Sequence, residues 1–339
     1  MFNLIISLLK FLLAGIAFLF VLFMAVFIEY SAIYFKKIFI SWLKKKSEEY
    51  SFVLIKKQFL SKVVLPETAS VAIVISAPVL ALSALMPICT TIPYFSFIPY
   101  IQKNTDLLQI VQFLLFSEVF ATLAIYALGT KVSRLIAKEM IKEFAYSCFF
   151  IIAFFTLIAV YIDKTSSITD TFKLSSLAVS GLLSTKNFLV YAVLLFISAI
   201  IFALLPHETR KNSKYLTNNN VLVEFQGAPR VIISLWSLLR SFLIISIILV
   251  TLLPFINIPS NSQNINIPWF IKTINFFVYF ITIILTRSFV IPIFWEIRDK
   301  LKHILPRLLS LILIHLIIIF IICFIFLLNS NPNLILGLL

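Results

Sequence analysis

An all-α protein that crosses the membrane about eight times, with both termini outside, is the fold class that this sequence predicts. Three observations predict it. The 339 residues are 61% hydrophobic and 12% charged. The apolar residues gather into stretches of bilayer-crossing length, and the basic residues collect in every second loop. No polar stretch is long enough to build a separate soluble domain, so residues 1–339 read as a single transmembrane bundle in a multi-pass protein of the bacterial inner membrane.

The first apolar stretch, Leu4 to Tyr30, is longer than the apolar core of a cleaved signal peptide and lacks a small-residue cleavage site. It therefore reads as a retained anchor. The following spans are Ala69 to Pro93, Leu107 to Leu128, Phe144 to Ile162, Phe188 to Leu205, Ile232 to Phe255, Trp269 to Pro292 and Leu308 to Leu328. An apolar core about 30 Å thick needs around 20 helical residues, so the stretch from Phe188 is the short one of the set.

The loops after spans one, three, five and seven hold 20 of the 28 Lys and Arg residues, whereas the opposite loops hold only Lys103, Lys164, Lys173 and Lys186. This asymmetry makes the basic loops cytoplasmic. Lys10, Lys272 and Arg287 sit within spans but close enough to an end to snorkel; Arg240 lies about two turns inside the cytoplasmic edge. The net charge of +14 thus falls on the face that meets anionic lipid, and nucleic acid is not an expected partner.

Two cytoplasmic loops are long. Residues 31–66 interleave Ile33, Ile38, Ile40, Trp42 and Leu43 with Lys36, Lys37, Lys44, Lys45 and Lys46. The segment is amphipathic, suited either to lie on the inner leaflet or to wall a cavity shared with a partner subunit. Residues 206–230 carry His207, Glu208, Arg210, Lys211 and Glu224 without a glycine-rich phosphate cradle. His207 beside Glu208 suits proton transfer near neutral pH, although no third residue orients the pair; the bland alternative is a solvated loop.

Glu118 is the one carboxylate well inside a span. An ionised carboxylate there costs roughly 3 kcal/mol on insertion scales, so it is expected to face the bundle or water. It reads either as a proton-handling group or as a polar group bonded to a neighbouring helix. Glu29 ends span one at the interface and needs no functional explanation, and His315 reads as a helix-helix hydrogen bond. Cys89, Cys148 and Cys323 lie in separate spans without metal-ligand spacing, so no metal site is expected. The chain has neither a cysteine cluster for iron–sulfur nor a haem ligand pair, so no cofactor of its own is expected.

Read together, these residues resemble the membrane family that comprises subunit 1 of respiratory complex I and its counterpart in the membrane-bound group 4 hydrogenases, including formate hydrogenlyase. The second span, with Ala77-Pro78-Val79-Leu80-Ala81-Leu82 and its terminal Ile92-Pro93, is close to the family's Ala-Pro-Val-Leu-Ala-Leu and Ile-Pro. Lys138-Glu139-Met140 resembles the Arg-Glu-Met of the hydrogenase branch, and His207-Glu208-Thr209 and Glu224-Phe225-Gln226-Gly227 resemble the family's Ala-Glu-Thr and Glu-Tyr-Ser-Gly. Leu235-Trp236 with Arg240 is again similar to the hydrogenase branch. The order of these motifs along the spans carries the resemblance.

The resemblance implies a subunit without catalysis of its own, docking a peripheral redox module on its basic face and joining antiporter-like subunits in the bilayer. Lys36, Lys37, Lys44, Lys45, Lys46, Arg210 and Lys211 would then meet the partner, and quinone would bind at a shared interface. Glu118, Glu208, Glu224 and His207 would be the relay candidates. Departures bear on that relay: Ser147 stands where the family has a glutamate, Lys62 is the best match to its Lys-Glu, and Arg210-Lys211-Asn212-Ser213-Lys214 replaces its acidic run. Missing links weaken coupling between titrating neighbours. A self-sufficient proton-coupled transporter built on Glu118, or a non-pumping structural subunit, are the alternative readings.

Overall fold

The computed structural model describes residues 2–42, 62–91, 107–162, 188–205, 227–252 and 269–294, and these residues contain helices and turns but no strand. The helices are α1 (Phe2–Trp42), α2 (Val71–Ala84), α3 (Met86–Thr91), α4 (Leu107–Tyr126), α5 (Lys131–Ile162), α6 (Phe188–Leu204), α7 (Ala228–Leu252) and α8 (Trp269–Leu285), the last running into a π-helical turn at Thr286–Val290. The chain divides into two units, Met1–Ile291 and Pro292–Leu339. Every helix named here belongs to the first; of the second, residues 292–294 are described and are helical.

Six helical stretches are long and apolar enough to cross a membrane: Phe11–Ala32, Val71–Cys89, Gln109–Tyr126, Lys131–Leu157, Ala228–Leu252 and Phe276–Phe294. They coincide with six of the expected spans. α6 forms at the fifth, with 17 residues and a shorter apolar run over Val193–Phe202. The stretch from Leu308 to Leu328 lies outside the described residues. The protein is therefore a membrane-embedded, multi-pass helical protein.

Two helices run past the limits that hydropathy sets. α1 continues through Trp42, so Ser31–Trp42 of the amphipathic loop extends the first span. No Gly or Pro interrupts the chain between Tyr30 and Trp42, and nothing there stops helix propagation. Its 41 residues make a rod about 60 Å long, beyond the 40–45 Å or so of a bilayer with its headgroups. Likewise α5 begins at Lys131 and runs 32 residues, so the basic segment before Phe144 is helix and the connection to α4 shrinks to Ala127–Thr130.

Burial ranks the helices. α7 has 72% of its apolar window buried, against 22% for α1, and every residue from Leu238 to Leu252 is buried. A helix apolar on all sides belongs at the centre. α7 packs against α1 and α2, α2 against α4, α4 against α5, and α5 against α6; α1 also packs against α3, α8 and the π turn. Pro78 lies inside α2, and the chain breaks at Leu85 before α3 resumes the same span.

One end of this bundle is tied by the segment Lys62–Ser70. Thr68 donates through Oγ1 to the Leu128 carbonyl at 2.9 Å, and the Ser70 N–H donates to the Ala127 carbonyl at 2.9 Å. Gly129, at φ 74°, closes the α4–α5 turn so tightly that a Cβ there would stand 2.5 Å from the Thr68 carbonyl oxygen. Gly227, at φ 86°, sits against Val63, where a Cβ would meet the Val63 side chain at 2.9 Å. Below them Val74, Ile125, Leu128, Ile136 and Ala137 form a buried cluster with Leu65, Ala69 and Ile233 packed on it. The basic loops after spans one, three and five therefore meet at one end of the bundle.

Candidate functional site

Among the described residues two ion pairs join helices far apart in sequence, with Glu118, Arg240 and Arg287 buried and Glu29 partly exposed. On α4, Glu118 is 4% exposed, and its Oε2 lies 2.7 Å from Nε of Arg240 on α7. On α1, Glu29 accepts two hydrogen bonds from Arg287 in the π turn, Nε to Oε2 at 2.6 Å and Nη2 to Oε1 at 2.9 Å. The two-point geometry is the strong form of a guanidinium–carboxylate contact.

Helical rise gives their depth. Glu118 lies ten residues before Leu128, and Arg240 thirteen after Gly227, which is about 15 Å and about 20 Å from the tied end. Glu118 lies eight residues, about 12 Å, inside the Tyr126 end of its apolar span, well within the apolar part of the bundle. Tyr279 of α8 donates its hydroxyl to the Ser246 carbonyl of α7 at 2.7 Å and fixes the two helices in register. Counting back six residues to Arg240 and forward eight to Arg287 gives about 9 Å and about 12 Å, so both pairs occupy a similar depth.

Around Glu118 the surroundings are ordered. The guanidinium of Arg240 stands 5.8 Å from the Trp236 ring centroid, a cation–π distance, one helical turn before it on α7. Trp236 is 3% exposed, and its indole N–H has no hydrogen-bond acceptor among the described residues; its ring face is the part that engages the pair. From α5, Cys148 comes within electrostatic reach of both Arg240 and Glu118. Next to it, Ser147 is buried and donates to the Phe144 carbonyl at 3.0 Å. The Ser147 hydroxyl is thus turned onto its own helix, one residue from Cys148.

The second pair sits on unusual backbone. Thr282 and Thr286 donate to the carbonyls of Val278 and Thr282, at 2.7 and 2.8 Å, and such back-bonding loosens the helical ladder. The π turn then begins at Thr286 and places Thr286, Arg287 and Ser288 in the interior. The Ser288 hydroxyl is buried without a hydrogen-bond partner among the described residues. Single π turns inside α-helices are frequent at functional positions.

Glu118 thus faces the bundle, engaged with Arg240. Glu29 and Arg287, assigned to the span edges by sequence, form a part-buried pair. Lys36 and Lys37 fall on the last turns of α1, and Lys62 is exposed in the tying segment. His207, Glu208, Arg210, Lys211, Glu224, Lys44, Lys45, Lys46 and His315 lie outside the described residues. Among the described residues no three His, Cys, Asp or Glu side chains come together as metal ligands. No protein-family model matches the chain, and no curated protein is similar to it.

Proposed function

We propose that this protein is the membrane-anchor subunit of an assembly like complex I or a group 4 hydrogenase, crossing the bacterial inner membrane eight times with both termini outside. It performs no redox chemistry alone. Its basic face docks a peripheral redox module, and its flanks join antiporter-like subunits; quinone, where used, binds at the shared interface. The observation that carries this reading is the ordered set of family-like motifs, from Ala77-Pro78 through Lys138-Glu139-Met140 to Trp236 and Arg240. The buried charges add support, because Glu118 and Arg240 lie where a subunit that transmits charge or strain into the membrane needs them.

The competing reading is a self-sufficient proton-coupled transporter. Its supporting observation is an acid well within the apolar part of the bundle, but that acid is engaged with an arginine, and a carrier would have to part them in each cycle. The structural-subunit reading leaves both pairs closed throughout. Affinity purification from gently extracted native membranes, followed by mass spectrometry and assays of quinone and hydrogenase activity, tests the proposal. Redox and antiporter-like subunits are expected in the preparation. A protein that is isolated alone from intact membranes and drives proton flux in liposomes, with flux lost in Glu118→Gln, would overturn it.

A further inference from the structure

The first three turns of α5 carry four basic residues, Lys131, Arg134, Lys138 and Lys142, and all four are exposed. At 100° per residue they fall within a sector about 80° wide. The opposite side of the same turns is buried: Ser133 is fully covered, and Ile136 and Ala137 belong to the cluster at the tied end of the bundle. Glu139 lies off the stripe by about 60° on the same helical count, leaving the basic sector free of acid. This stripe is therefore directed away from the bundle.

Two independent rulers bracket the bilayer edge, eight residues or about 12 Å apart along α5. The apolar window of α5 downstream of the stripe begins at Phe144, so Lys142 marks one estimate of the bilayer edge. The apolar span of α4 ends at Tyr126, and Arg134 stands over the Tyr126 ring at 5.9 Å, so Arg134 marks the other. Tyrosine and long basic side chains are characteristic of that boundary. Between the rulers, Leu135 and Ile141 are more than half exposed beside the basic residues.

We propose that this stripe is a docking surface for anionic phospholipid headgroups. Arg134, Lys138 and Lys142 lie between those two limits, and the exposed Leu135 and Ile141 are interleaved with them at the same height, a mixture that suits the headgroup–acyl boundary. An acidic protein surface would satisfy the cations and leave those apolar side chains in water, which favours lipid as the occupant. The site does not depend on which assembly the chain joins.

Native mass spectrometry of the full chain, titrated with phosphatidylglycerol or phosphatidylcholine, tests this. Phosphatidylglycerol is expected to bind at least about tenfold more tightly, since each basic group near an anionic leaflet contributes several-fold. The variant K131Q/R134Q/K138Q/K142Q is expected to lose that preference; K103Q/K164Q/K173Q/K186Q, with the same change in charge in the opposite loops, is expected to keep it. If the fourfold variant cannot be purified, K138Q/K142Q is read in the same way, with a partial loss expected. Equal binding of the two lipids, an unchanged preference in the stripe variants, or equal loss in the control would overturn the proposal. So would loss of a co-purifying acidic protein with lipid binding intact.

Discussion

A buried charge pair is a stronger constraint than either of its members. Taking Glu118 and Arg240 out of water costs several kcal/mol each, offset by their mutual contact at 2.7 Å. Removing one partner leaves the other uncompensated. Glu118→Gln or Arg240→Gln alone is expected to destabilise the protein by about 3–5 kcal/mol, and the double substitution by less than either. Thermal unfolding in one detergent measures this; additive single effects would show that the two groups act separately. The Trp236 face beside the guanidinium restricts where it can move.

Among the elements, the turns contribute as much to this architecture as the helices. Gly129 lies in the left-handed region with the Thr68 carbonyl oxygen in the space a side chain would fill. Gly129→Ala combines positive-φ strain with a clash against backbone, and a loss of about 2 kcal/mol or more is expected. Thr68→Val, which removes the hydroxyl donor at 2.9 Å, is expected to cost about 1 kcal/mol. Comparing the two unfolding midpoints separates backbone clash from hydrogen bonding. Hydropathy could not locate the ends of α1 and α5, because it measures which residues suit lipid rather than which are helical. Ser31–Trp42 and Lys131–Glu143 are too polar for lipid yet contain no residue that stops a helix.

Across the whole molecule, apolar length and basic alternation made the multi-pass helical bundle legible, since both reflect the solvent on each segment. The site was legible in halves. Glu118 stood out as an acid in an apolar stretch, and Arg240 as a cation inside a span. That they meet was not readable, because helices distant in sequence become neighbours only through packing. Glu29 and Arg287, 258 residues apart, looked like edge charges for the same reason. The arrangement of the loops is testable directly. In a variant without native cysteines, a membrane-impermeant thiol reagent applied to intact cells is expected to label Lys103→Cys and Lys164→Cys and to spare Lys45→Cys and Lys214→Cys. The reverse pattern would invert the orientation.

The segment Lys62–Ser70, held between Gly129 and Gly227, also sets an order of events during synthesis. Val63 leaves the ribosome long before its neighbour Gly227 exists, with well over a hundred residues still to be made. At about 5–20 residues per second that interval is on the order of ten seconds. The Gly129 contact closes first and Gly227 completes the clasp, so the early spans wait in a half-fastened state until α7 arrives to fill the centre.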